Sequence, residues 1–215
     1  PVPDEPEPVG NILNLKIGGD GIPVRVYLPE EEGPHPTTVY FHGGGWVLGD
    51  IETYDETCRV ITNETDSIVV SVDYRLAPEH RFPTPLEDCY TVLEWVLDDA
   101  DAMQIDTENV AIAGDSAGGN LAAAVALLAR DRDGPSIAKQ VLIYPITNHA
   151  FDTSSYTENA EGYLLTKDDM EWFWDHYLRS DIDGQHPYAS PMKAQSLEGL
   201  PPATVVTCGF DPLRD

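Results

Sequence analysis

Ser116 lies in the run Val110-Ala111-Ile112-Ala113-Gly114-Asp115-Ser116-Ala117-Gly118-Gly119-Asn120-Leu121, an apolar strand pattern that enters a turn of small residues and leaves it as an alanine-rich helix. A serine hydroxyl is a weak nucleophile at its free pKa. It needs a sharp turn that offers it to a base on one side and to a substrate on the other. Gly114 and Gly118 bracket such a turn, since a side chain at either would collide where the backbone doubles back. The spacing lacks the Gly-x-Gly-x-x-Gly of a dinucleotide-binding turn. A second glycine cluster points to acyl transfer. His42-Gly43-Gly44-Gly45 follows an apolar strand at 37–41, and a glycine triplet there leaves backbone N–H groups free to face a developing oxyanion.

The elements that must hold these residues follow from periodicity and punctuation. Strands at 11–17 and 23–28 flank Gly18-Gly19-Asp20-Gly21, whose glycines and aspartate are hairpin chemistry, so an antiparallel pair opens the sheet. A helix at 52–64 carries Tyr54, Cys58 and Ile61 on one face. A buried strand at 68–72 then leads into a charged, proline-rich loop at 73–83. The helix at 85–100 has Pro85 in its first turn and turns Tyr90, Leu93, Val96 and Leu97 to the core. Strands at 140–144 and 202–208 close the series. This alternation predicts an α/β domain over 11–215, with a mainly parallel sheet and helices on both faces. From about 150 to 200 the rhythm breaks into a polar segment with an aromatic helical patch at 170–178, the pattern of a cap or lid inserted above a site.

Charge narrows the partners. The 215 residues carry 12 Lys and Arg against 38 Asp and Glu, a formal net charge of −26. Phosphate binding needs the opposite sign, which excludes nucleic acid. The acidic residues are spread along the whole chain, so they read as a solvated surface whose self-repulsion salt relieves, the pattern of a halophilic protein. No apolar run approaches the roughly 20 residues of a membrane span. The three cysteines, Cys58, Cys89 and Cys208, show neither metal-ligand spacing nor a disulfide framework; they are expected to be buried free thiols in a cytoplasmic protein. Residues 1–10, acidic and rich in proline, read as an extended arm.

Taken together, His42-Gly43-Gly44-Gly45-Trp46, Tyr74-Arg75-Leu76-Ala77-Pro78-Glu79-His80, Gly114-Asp115-Ser116-Ala117-Gly118-Gly119-Asn120 and Asp211-Pro212-Leu213-Arg214-Asp215 resemble the hormone-sensitive-lipase-like family of α/β-hydrolases, from about residue 10 to the end. The resemblance implies a serine carboxylesterase or lipase acting on small esters, of short acyl chain, without cofactor or metal. It implies Ser116 as nucleophile and Asp211 as triad acid, with Asp215 the runner-up. The backbone N–H groups of Ala117, Gly44 and Gly45 would form the oxyanion hole, with Gly43 a further donor. His42 would order the triplet through hydrogen bonds, and Glu79, His80 and Arg81 would form an internal polar network. Trp46, Tyr163, Trp172 and Trp174 are the candidates for the substrate pocket.

The triad order of this fold is serine, acid, histidine, and no histidine follows Asp211. His35, His42, His80, His149, His176 and His186 all precede it, and of these His149, His176 and His186 could approach a pocket. The expectation is a C-terminally truncated chain, weakly active or inactive alone, whose last strand forms an exposed edge open to self-association. The alternatives are a non-catalytic relative that binds a small ligand, and an amidase using the same acyl-transfer groups.

Overall fold

A computed structural model describes residues 5–215. Seven strands form one sheet in the order β1-β2-β4-β3-β5-β6-β7. β1 (Asn11–Ile17) and β2 (Ile22–Leu28) make the expected antiparallel hairpin. β2 also pairs antiparallel with β4 (Ile68–Val72). From β4 onward β3 (His35–Phe41), β5 (Ile105–Asp115), β6 (Lys139–Ile143) and β7 (Ala203–Val206) run parallel. The central strand β5 is longer than its apolar core suggests, because it starts with the polar segment after Ile105.

The side-chain alternation of the strands sends two sets of residues to opposite faces. On one face Val24, Val26, Val39, Phe41, Val70 and Ile112 meet α2 (Thr84–Asp98) and α4 (Ala117–Asp131). On the other, Tyr27, Tyr40, Val69 and Ala113 pack with Cys58 of α1 (Asp55–Thr65). Helix α4 is buried from Ala117 to Ala129, which explains its alanines: small side chains let its axis lie close to β5, β6 and α2. A short α3 (Ala100–Met103) leads into β5.

The segment between β6 and β7 holds α5 (Ser154–Glu158), α6 (Lys167–Tyr177) and two 3-10 turns. Thr166 and Asp169 close a capping box on α6, each side chain accepting the other's backbone N–H.

Several expectations change. Of the acidic arm, residues 1–4 lie outside the described residues. The part that follows is docked on α1, where the Glu7 and Pro8 carbonyls accept from Arg59 and Asn63 at 2.8 and 2.9 Å. Glu79 and His80 are exposed, so they do not form an internal network. The 73–83 loop is instead pinned by Arg75, which binds the buried Asp88 of α2 through its guanidinium and its backbone N–H and reaches Asp20 of the hairpin at 3.0 Å. Arg81 donates to the carbonyls of Asp175 and Leu178. Cys58 and Cys89 are buried free thiols, whereas Cys208 is exposed. β7 lies at the sheet edge with Val205 and Val206 exposed.

Candidate active site

Parallel strands deliver their following loops to one end of the sheet, and a crevice there is the usual ligand site of an open α/β sheet. In this chain four strands contribute. Gly44, Gly45 and Leu48 come from beyond β3, Asp115 and Ser116 from the end of β5, Tyr144 from beyond β6, and Cys208, Phe210, Asp211 and Leu213 from beyond β7. Leu164, Leu165, Asp169 and Phe173 of the 150–200 segment form the remaining wall. The cavity they enclose measures about 760 Å³.

Ser116 stands at the turn between β5 and α4 with φ 53° and ψ −116°, a conformation that an L-residue adopts only where its surroundings impose it. Its N–H donates to the Ile143 carbonyl at 2.9 Å, and its carbonyl accepts from Asn120 at 3.0 Å. The glycines on either side are there for close approach. A Cβ on Gly118 would run into the Phe41 carbonyl, and one on Gly114 into Gly118. Ala117 is the first residue of α4, so its N–H is one of the groups that a helix start leaves without a helical partner.

The glycine loop is tied to this turn by a residue that the sequence motifs did not single out for a role. Asp115, 7% exposed, accepts from the Tyr40 hydroxyl at 2.8 Å, from the Tyr54 hydroxyl at 2.9 Å and from the Gly43 N–H at 3.0 Å. The carboxylate next to Ser116 thus holds the loop after β3 in register with the turn after β5. Burial, reinforced by the Asp115 charge, pushes the Tyr40 and Tyr54 hydroxyls far above the ordinary phenol range, so both remain donors. The Gly43 N–H is spent on Asp115, which leaves Gly44 and Gly45 as the members of the triplet that line the cavity. His42 is fully buried behind the loop. It stacks on Tyr74 at 4.3 Å, and its Nδ1 meets the Gly43 carbonyl at 2.7 Å. Burial depresses its pKa.

Asp211 shares the cavity with Ser116 and is half-buried, and desolvation raises its pKa. Its Oδ1 accepts from the Leu213 N–H at 2.8 Å, and its carbonyl accepts from Asn159. Asp215 lies elsewhere, bound to Ser154, Ser155 and Arg214. Among the described residues no histidine lines the cavity. His149 packs against Phe151 and Trp174, His176 bonds the Trp172 carbonyl, and His186 packs against Phe82 and Tyr188.

The aromatic pocket candidates are distributed differently from expectation. Trp46 and Trp174 are fully buried behind the wall, where Trp46 stacks on Tyr177 at 4.2 Å and meets Trp174 at 4.6 Å. Trp172 is exposed on the outer side of α6 and packs on His176. Tyr163 sits at the rim, stacked on Phe210 at 5.4 Å. Only its partner lines the cavity, together with Leu48, Tyr54, Tyr144, Leu164, Leu165, Phe173 and Leu213. Single aromatic residues carry no sign in sequence of which face of an element they will occupy, whereas Tyr54 and Leu48 were hidden by lying outside any motif.

A parallel sheet, a serine in a strained strand-to-helix turn and a glycine loop clamped beside it define an α/β-hydrolase, and residues 38–215 match the family model described as alpha/beta hydrolase fold. The chain belongs to that family, in its hormone-sensitive-lipase-like esterase branch. It is 46% identical over 213 residues to the carboxylic ester hydrolase LipN of Mycobacterium tuberculosis, covering 95% of this chain and 57% of that protein. It is 39% identical over 212 residues to an arylesterase of Saccharolobus solfataricus, covering 97% of this chain and 69% of that protein. The solved hyperthermophilic esterase of the archaeon Pyrobaculum calidifontis superposes with a TM-score of 0.94 at 47% identity, over 97% of this chain and 70% of that one. No helix among the described residues is long and apolar enough to cross a membrane.

Proposed function

We propose that this site hydrolyses carboxylic esters of small, uncharged substrates through an acyl-enzyme. Ser116 attacks the ester carbonyl, the alcohol leaves, and water releases the acid. The oxyanion is received by the N–H groups of Ala117, Gly44 and Gly45, each such donor typically contributing about 3 kcal/mol to transition-state stabilisation. Asp211 is placed to orient an imidazole base that takes the Ser116 proton and to stabilise its charged form, a base that no histidine lining the cavity supplies among the described residues. The observation that carries the reading is the strained Ser116 backbone at the floor of a largely apolar cavity that Gly44, Gly45 and Asp211 also line. The relatives named esterases support the same chemistry.

No histidine lines the cavity among the described residues, which favours low activity of the chain by itself and keeps a second reading, a relative that binds a small ester or acid without turnover. A fluorophosphonate probe in molar KCl, with Ser116→Ala as control and the adduct located by mass spectrometry, separates the two. Labelling at Ser116 means an activated nucleophile. A folded chain that stays unlabelled means that no group of these 215 residues activates Ser116, and ester turnover is then no property of this chain by itself.

A further inference from the structure

Helix α6 is not a loose cover. Its Trp174 and Tyr177 are buried against Trp46, the residue that follows the glycine triplet, with Tyr177 and Trp46 parallel to within 4°. Phe173, on the adjoining face, is therefore fixed in height above the loop. Its ring reaches the loop itself. Gly45 has φ 59°, and a Cβ built on it would fall inside the Phe173 ring. Phe173 and Gly45 line the same cavity as Ser116. An acyl group held with its carbonyl oxygen toward Gly45 then extends past the edge of this ring, and because Trp174 and Tyr177 hold the helix the ring can yield only by rotating about its own side-chain bonds.

From this packing we propose that Phe173 is the specificity-determining residue of the site, admitting esters whose acyl carbon next to the carbonyl is unbranched and rejecting those in which it is quaternary. The inference rests on the ester-binding reading of the cavity. A methyl group that must displace a packed wall typically alters discrimination by about 10-fold or more, so the effect is large enough to measure. Two measurements on the full chain test it. In a Ser116→Ala background, dissociation constants for p-nitrophenyl butyrate and p-nitrophenyl pivalate are compared by tryptophan fluorescence, with Phe173 intact and as Phe173→Ala and Phe173→Leu. The butyrate-to-pivalate preference should fall at least about 10-fold in Phe173→Ala and by an intermediate factor in Phe173→Leu. Separately, Gly45→Ala should lower the melting temperature by about 6 °C in the unsubstituted chain but by only about 3 °C further when added to Phe173→Ala, because the steric part of its cost is gone and the backbone part remains. An unchanged preference, additive melting losses, or failure of p-nitrophenyl butyrate to bind overturns the proposal. Hydrolysis of p-nitrophenyl butyrate by the unsubstituted chain is followed in parallel. If hydrolysis is absent while the preference still shifts, turnover by this chain alone falls and the assignment of Phe173 stands.

Discussion

Replacing Asp115 by alanine should cost the chain both stability and the alignment of its site, by separable amounts. The carboxylate is 7% exposed and accepts from Tyr40, Tyr54 and Gly43 at 2.8, 2.9 and 3.0 Å. On its removal the Tyr54 hydroxyl, which lines the cavity, can turn to solvent and remains 3.1 Å from the Gly43 N–H. The Tyr40 hydroxyl, on a side chain 2% exposed, cannot. One fully stranded donor costs about 1–3 kcal/mol, and a weakened backbone contact adds about 1 kcal/mol, partly offset because a buried charge is no longer desolvated; a net loss of about 2–3 kcal/mol follows. Asp115→Asn keeps one acceptor oxygen and should lose only about 1 kcal/mol. The loop freed by alanine no longer holds Gly44 and Gly45 against the turn, and misplacement of that kind lowers reaction at Ser116 about 100-fold. Urea unfolding gives the first quantity, and the second-order rate of fluorophosphonate labelling in the folded protein gives the second. A loss below about 0.5 kcal/mol together with an unchanged labelling rate would show that Asp115 does not tie the two loops together.

Three further outcomes follow from other parts of the molecule. Arg75→Ala should destabilise by about 2–3 kcal/mol in urea, since it leaves Asp88, 2% exposed, with the Arg75 backbone N–H as its remaining partner; an effect no larger than that of a surface ion pair refutes the pin. Burial depresses the pKa of His42 from 6.5, outweighing the opposite pull of Asp73, Asp115 and Asp50, so the neutral ring stabilises the fold above about pH 6.5 and that contribution is lost as pH falls. The difference in unfolding free energy between the unsubstituted chain and His42→Gln should therefore shrink from pH 7.5 to 5.5, and a constant difference counts against it. With a net charge of −26, raising KCl from low to molar concentration should lift the melting temperature by on the order of 10 °C, whereas flat curves would reject salt adaptation.

What could be read from the chain alone was what short-range rules decide. The β1–β2 hairpin follows from Gly18-Gly19-Asp20-Gly21, the strand–turn–helix around Ser116 from an apolar run, two glycines and a run of alanines, and the two-faced sheet from alternation within each strand. In each case the residues that cause the structure are neighbours in sequence. The places where expectation and structure part depend on residues far apart in the chain. Glu79 and His80 look like members of a charged cluster, but the cation that the loop uses is Arg75, because α2 places the buried Asp88 beside it. Trp46 and Trp174 look like pocket walls, yet 128 positions apart they find each other and Tyr177, and stacking removes all three from the cavity. Asp115 is an unremarked letter between Gly114 and Ser116 until the pairing of β3 with β5 brings Tyr40 and Gly43 to its carboxylate. Periodicity and turn chemistry determined which elements form and where a nucleophile could be presented; only the packing of strands and the roof helix decided which side chains face it, since a side chain's partners are set by contacts that the linear order does not contain.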